Sequence, residues 1–319
     1  MVCKNADSSQ ASFHSVEEMM FGMSKSFRYM RCKECGLLQI CYPPQDMGKY
    51  YSQNRYYSLQ DNSLKGTQSK LGTYLRKQVT RSYVLKKSNP IYTFLTRLYP
   101  INYSTLAMFR ELPELPHEGI LDVGCGTGYI LNRLYEIGFR DLLGVDLFIE
   151  RDLLTSYGVK VMKGEIHDVS DQFKLIMFNH SFEHIWNQLT VLERTKVLLL
   201  PNGFCAIQMP VMNEAWKIYR ENWCQIDAPR HFFIHTEKSF GILAERAGFE
   251  ITRVLYNSTS SQFAASELYK IGIPLKKQTK SVVIREIGAK QLRVWEQQAT
   301  EFNTTCKGDQ AIFILRVKV

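Results

Sequence analysis

Several things are scarce in this chain, and each scarcity excludes something. No apolar run approaches the roughly 18 residues a membrane-spanning helix needs, so no such helix is expected. The opening segment, MVCKNADSSQ, lacks the apolar core of a secretion signal, and a cytoplasmic location is the expectation. Eight cysteines in 319 residues are too sparse for a disulfide scaffold, which fits a reducing compartment. Acids are absent between Asp61 and position 100, where Lys65, Lys70, Arg76, Lys77, Arg81, Lys86, Lys87 and Arg97 leave a basic stretch. The plain reading of that stretch is a solvated helix face; the alternative is a surface that draws an anionic substrate or membrane headgroups. The bases are spread rather than clustered, which favours the solvated face. Net charge is +9, and an apolar content of 45% excludes a mostly disordered chain.

What is present is concentrated in residues 120–131, ILDVGCGTGYIL. A buried-strand pattern runs into alternating glycines at Gly124, Gly126 and Gly128, and a helical pattern then starts at Tyr129. Twenty residues past Gly126 a second apolar run, LLGVD, ends in Asp146. A strand, a glycine turn, a helix start and an acid at the next strand tip make a site for a nucleoside. The glycines let a ligand approach the backbone, and the acid can accept from both ribose hydroxyls. A dinucleotide site would carry G-x-G-x-x-G and hold a pyrophosphate. Here the spacing is G-x-G-x-G and Asp122 precedes it, which suits a cationic ligand better than an anionic one.

The run D-V-G-C-G-T-G resembles motif I of the class I S-adenosylmethionine (SAM) methyltransferases, and G-V-D resembles the motif that follows. The resemblance covers roughly residues 101–319. It implies an α/β, Rossmann-like, doubly wound seven-stranded sheet, and SAM as cofactor. Alternation of strand and helix patterns from Gly119 onward agrees. Strands are expected at 119–123, 142–146, 159–162, 174–179, 203–209, 250–256 and 310–317, with helices at 127–137, 149–157, 187–199 and 237–247. The resemblance assigns the cofactor to Asp122, Gly124, Cys125, Gly126, Gly128, Asp146, Leu147, Glu165, Ile166, Asn179 and His180. It also implies an antiparallel final strand pair.

Three further segments carry chemistry. FNHSFEHI resembles the family's motif IV, facing the methyl group, and makes His184 and Glu183 acid–base candidates. Their plain structural uses are capping a helix and orienting a turn. WCQIDAPRHFFIHT (223–236) is too polar and aromatic for a simple connection. His231 is the first choice for a base, Arg230 a binder of carboxylate or phosphate, and Trp223 a substrate contact. At the N-terminus, Cys32 and Cys35 frame a C-x-x-C-G zinc-knuckle turn with Cys3 as a third ligand. The partner expected for Cys3 in a second C-x-x-C would precede residue 1, so the expectation is a truncated chain, His14 or Cys41 in the fourth place, or a vestigial site. Tyr56 and Tyr57, in YYSQNRYYS, are expected either to wall a substrate pocket or to cover the ribbon.

The W-x-x-x-D-x-P-R-H element, the C-x-x-C-G with its following prolines, and the closing GDQAIF resemble a bacterial subgroup of methyltransferases found with glycan and secondary-metabolite assembly. The expected organisation is a zinc-ribbon-like segment (1–60), a helical lid (61–110) and a methyltransferase domain (111–319) with insertions at 211–235 and 257–309. O-methylation of a nucleotide-linked or glycan-bound sugar hydroxyl leads, with C-methylation of a keto sugar as the alternative. The ribbon, tyrosines and positive charge also fit nucleic-acid binding. An N-P-P-Y-type motif is missing at the fourth strand and the bases do not interleave with the tyrosines, so nucleic acid is not the expected partner.

Overall fold

Short strands near the start of the chain pair into a ribbon that the rest of the protein then completes. The computed structural model describes residues 11–51, 70–84, 106–112, 114 and 119–318. Strands β1 (Ala11–Glu17) and β2 (Ser26–Cys32) form an antiparallel hairpin, and β2 pairs with β3 (Leu38–Ile40). The turn between β2 and β3 holds the C-x-x-C-G sequence, where the Gly36 N–H donates to the Cys32 carbonyl at 3.0 Å. Gly36 has φ +77°, and a Cβ there would sit 2.6 Å from Cγ2 of Thr236, so a side chain would force the two segments apart.

The larger sheet is built from β4 (Ile120–Val123), β5 (Leu142–Asp146), β6 (Leu153–Leu154), β7 (Lys160–Lys163), β8 (Phe173–Asn179) and β9 (Leu199–Pro210). Strand β10 (Phe233–Ile234) leaves it to join the ribbon, and β11 (Phe249–Tyr256) and β12 (Gln310–Val317) complete it. Its order is β11-β12-β9-β8-β4-β5-β7-β6. The pairings β8–β9, β8–β4, β4–β5 and β5–β7 are parallel, whereas β12 runs antiparallel to both neighbours, as expected for the final pair. The central strands are covered on both faces and so read as unbroken apolar runs. Alternate side chains divide between two cores. Leu121, Val123, Ile176 and Phe178 meet Leu192 of α4 (Gln188–Leu198) and Phe240 of α6 (Glu237–Arg246). Ile120, Leu175 and Met177 meet Phe109 of α2 (Ala107–Glu111) and Leu134 of α3 (Tyr129–Ile137). Each such buried side chain contributes about 1.5–3 kcal/mol relative to exposure. Helix α1 (Lys70–Val84) supplies Val84 to this second core, inside the stretch read as a lid.

One expectation is corrected. The helix expected at 149–157 is instead the antiparallel β6–β7 hairpin, so the sheet has eight strands rather than seven. Thr155 closes it: its N–H donates to the Val159 carbonyl at 2.9 Å, and its Oγ1 accepts from the Val159 N–H. The ribbon takes its fourth strand from a distant part of the chain. Strand β10 comes from the 223–236 segment and pairs with β3, Phe233 opposite Gln39 and Ile234 opposite Leu38. The ribbon's inner face (Tyr29, Leu38, Ile40) packs with Trp216 of α5 (Glu214–Tyr219), Trp223, Phe263 of α7 (Ser260–Lys270) and Ala299 of α9 (Ala289–Thr304). The insertion after β11, which also holds α8 (Lys280–Glu286), therefore buries the ribbon's core.

Candidate active site

Open sheets leave a crevice beyond the carboxyl ends of their strands, where neighbouring connections diverge. At the end of β4, Gly124 (φ +75°) turns the chain, and a Cβ on it would lie 2.4 Å from Cβ of Ser181. The Gly126 N–H donates to Asp146 Oδ2 and the Phe148 N–H to Asp146 Oδ1, both at 2.8 Å. Asp146 thus ties the two turns together, and each of its oxygens retains a lone pair for a further donor. Burial raises its pKa, an effect reduced by those N–H groups. Asp122 is fully buried; Asn179 Nδ2 donates to its Oδ1 at 3.3 Å, and Oδ2 has no partner among the described residues. Burial pushes this carboxyl up to about 7, so it titrates near neutrality until a cation joins it.

Other residues read as cofactor contacts divide. Leu147 is exposed beside the Asp146 turn, Gly128 (φ +81°) starts α3, and Glu165 is exposed where it caps a turn with Asp168. Cys125 is held as a neutral thiol because burial raises its pKa far above the usual range. The Ile166 side chain is buried in the core with Val145 and Phe178. Phe148 stacks on Tyr51 with ring centroids 4.4 Å apart, and the Tyr51 hydroxyl lies 2.9 Å from His184 Nδ1. Tyr51 belongs to the YYSQNRYYS run, read from sequence as a pocket wall or a cover for the ribbon. Tyr56, Tyr57 and Cys3 lie outside the described residues.

The motif IV segment and the 223–236 segment converge. His184 Nδ1 is 2.9 Å from the Arg230 carbonyl, and His231 Nδ1 is 2.7 Å from the Gln225 carbonyl. A carbonyl only accepts, so each Nδ1 carries a proton, and in the neutral form of each ring the lone pair is on Nε2. Burial pushes His184 down to about 4, which keeps it neutral at pH 7. Glu183 is fully buried beside them, with Oε1 3.8 Å from His231 Nε2 and 3.5 Å from His180 Nδ1. Burial acts to raise its pKa, but His180, His231 and His184 outweigh this and hold it below the ordinary value. Neither of its oxygens has a hydrogen-bond partner among the described residues.

Arg230 and Trp223 are corrected as substrate contacts. The Arg230 side chain is fully buried, bound by Asp227 through Nε (2.8 Å) and Nη2 and by Glu18 through Nη2 (3.0 Å). Burial acts against its charge, but these carboxylates outweigh it and raise its pKa, and the guanidinium fork is committed to them. Trp223 is also buried, its Nε1 donating to Asp309 Oδ2 at 2.9 Å. Glu18, Asp227 and Asp309 are the residues that motif reading misses as partners. Asp227 stands inside the W-x-x-x-D-x-P-R-H element, whereas Glu18 carries no local signal.

Of the zinc candidates, Cys32 and Cys35 flank their turn, with Cys35 buried in the main core. His14 is engaged elsewhere, at 2.6 Å from Glu221. Among the described residues, three side chains of metal-ligating type come together at Glu183, His184 and His231.

Comparison with known proteins bears on this geometry. Residues 102–254 match the family described as "Methyltransferase domain". No curated protein matches the chain. Solved structures similar to it include a SAM-dependent methyltransferase from Archaeoglobus fulgidus (16% identity, 70% of this chain and 98% of that one, TM-score 0.42). The cyclopropane synthase MmaA2 from Mycobacterium tuberculosis has 17% identity, 65% and 80% coverage and a TM-score of 0.40. A SAM-dependent methyltransferase from Mesorhizobium loti has 15% identity, 66% and 95% coverage and a TM-score of 0.42. The family match spans the glycine turn, both buried aspartates and the motif IV loop: residues 102–254 carry a methyltransferase domain, and the protein is a methyltransferase.

Proposed function

We propose that the enzyme methylates a hydroxyl of a small-molecule sugar, nucleotide-linked or glycan-bound, using the Glu183–His184–His231 cluster to activate that hydroxyl. The observation that carries this reading is the pair of imidazoles whose Nδ1 atoms face backbone carbonyls, beside a buried carboxylate whose oxygens have no hydrogen-bond partner among the described residues. When bound, SAM supplies a methyl group on a sulfonium, already a strong electrophile. The protein's part is to align the acceptor, exclude water and take up its proton. Asp122 suits the ammonium of the donor, Asp146 its ribose, and Leu147 one face of its adenine. His231 is the first candidate for the proton. Arg230 and Asp227 act by fixing the loop that carries it. The sugar class is supported by the resemblance of the 223–236 element and the closing GDQAIF alone. Mass spectrometry of mixtures of enzyme, SAM and a sugar panel tests the reading. Absence of any thermal or calorimetric response to SAM and its demethylated product would sink it.

His231→Ala should leave SAM affinity nearly intact and lower turnover by about 100-fold or more. Unchanged turnover would remove His231 from the chemistry.

SAM affinity should also depend on pH through Asp122. The folded, ligand-free carboxyl holds its proton up to about 7. A cationic partner favours the ionised form, so binding tightens as pH rises toward 7, by up to about tenfold per unit, and levels off above it. Calorimetry from pH 5.5 to 8.5 reads this directly, and Asp122→Asn should flatten the slope.

We further propose a structural zinc ion on the ribbon, held by Cys3, Cys32 and Cys35. Fewer than about 0.2 equivalents of thiol-bound zinc in purified protein would count against it.

A further inference from the structure

We infer that Glu183, His184 and His231 form a divalent-cation site, separate from the ribbon cysteines. This rests on the proposed methyl transfer and deepens it by naming how the cluster acts on the acceptor.

Three observations converge. First, the donor set is aimed. Each histidine commits Nδ1–H to a backbone carbonyl, Arg230 O for His184 and Gln225 O for His231, at 2.9 and 2.7 Å. Metal-ligating histidines are held in this way by a second partner that fixes tautomer and ring orientation. Both Nε2 lone pairs then remain for a ligand. Second, Glu183 is completely buried with neither oxygen hydrogen-bonded among the described residues. A carboxylate buried without donors is costly unless paired or coordinated to a metal. His180 Nδ1 stands 3.5 Å from Oε1, longer than the roughly 2.7–3.2 Å of an ordinary hydrogen bond, and satisfies it only weakly. Third, the Arg230 guanidinium is committed to Glu18 and Asp227, and among the described residues Glu183 forms no ion pair with a lysine or arginine.

One ligand atom from each of the three residues falls within 4.8 Å of the others. Donors around a tetrahedral ion with bonds of about 2.0–2.2 Å lie about 3.3 Å apart, so modest side-chain movement closes the site. Two imidazoles and one carboxylate suit a borderline transition ion, Zn²⁺, Mn²⁺, Fe²⁺ or Co²⁺, better than Mg²⁺ or Ca²⁺. Three protein ligands leave coordination positions for acceptor oxygens. His231 is then a ligand, and the hydroxyl loses its proton to solvent through polarisation by the ion.

The test uses the full chain with Cys32→Ser and Cys35→Ser, so that thiol-bound zinc does not obscure the count. After chelator treatment, Co²⁺ is titrated in while the visible spectrum is recorded, and SAM binding is measured on the same sample by calorimetry. About one equivalent of Co²⁺ is expected, with d–d bands and no thiolate charge-transfer band. Glu183→Gln should weaken Co²⁺ binding at least about 100-fold at an unchanged melting temperature, and His184→Gln is the second variant should the first misfold. Less than about 0.2 equivalents in the double-serine protein, or undiminished Co²⁺ binding by either folded variant, overturns the site. In that case a shared proton between Glu183 and His231 takes the ion's place. Failure of SAM binding with Co²⁺ bound would instead overturn the methyl-transfer reading on which the cation's role rests.

Discussion

Replacing Arg230 with methionine is expected to lower the free energy of unfolding by about 3–5 kcal/mol, among the largest effects of any single change in this protein. The reason is not the loss of attraction alone. Arg230 has no exposed side-chain surface, and Glu18 beside it has none either. Without the guanidinium, Glu18 keeps only the N–H groups of Phe21 and Met23, at 3.1 Å, and Asp227 loses its bidentate partner. Two carboxylates are then buried together, where each must take up a proton or draw in water. Arg230→Lys should recover only part of the loss, since an ammonium cannot bind Asp227 through a fork. Adding Glu18→Gln and Asp227→Asn to Arg230→Met should recover most of it, because replacing every member of a buried ionic set is far milder than removing one. Urea unfolding measures all of these. A loss below about 1 kcal/mol for Arg230→Met would mean that water reaches the network.

That network also explains what can be read from residues alone. The glycine turn is legible because its chemistry is local: Asp122, Gly124 and Gly126 are near neighbours, and Asp146 is the tip of the next strand. Positive φ at Gly124 and the Gly126–Asp146 hydrogen bond follow from that short piece of chain. His184 and His231 are legible as types of chemistry, but not as a pair, since a shared site requires knowing that β10 docks on the ribbon. Arg230 misleads for the same reason. An arginine beside a histidine in a polar loop looks available until Glu18, 212 residues away, is placed against it. Trp223 is likewise settled by Asp309, 86 residues away. The helix expected at 149–157 fails differently. Ile149, Leu153 and Tyr157 keep a four-residue spacing, and only the pairing of Leu153 and Leu154 with β7 decides for a strand.

Gly124→Ala is expected to weaken SAM binding by at least about 30-fold, equivalent to about 2 kcal/mol. Two separate penalties act at this position. The backbone sits at φ +75°, where any residue with a Cβ is strained by about 1–2 kcal/mol. The new Cβ would also lie 2.4 Å from Cβ of Ser181, a contact that cannot persist. Ser181 is poorly placed to yield, because its Oγ donates to the Val123 carbonyl at 2.6 Å and it begins the loop that carries Glu183 and His184. Relief must therefore move either the turn or the catalytic loop, so turnover should fall together with affinity. The two penalties can be separated. Gly138, at the end of α3, has φ +119°, and a Cβ added there would meet nothing within 4 Å, so Gly138→Ala should strain the chain without touching SAM binding. Ser181→Gly placed in the Gly124→Ala background removes the clashing carbon but not the strain, and should restore part of the affinity. Calorimetry on the four proteins distinguishes these terms. Should Gly124→Ala bind SAM within about threefold of the parent, the turn after β4 is not where the donor sits.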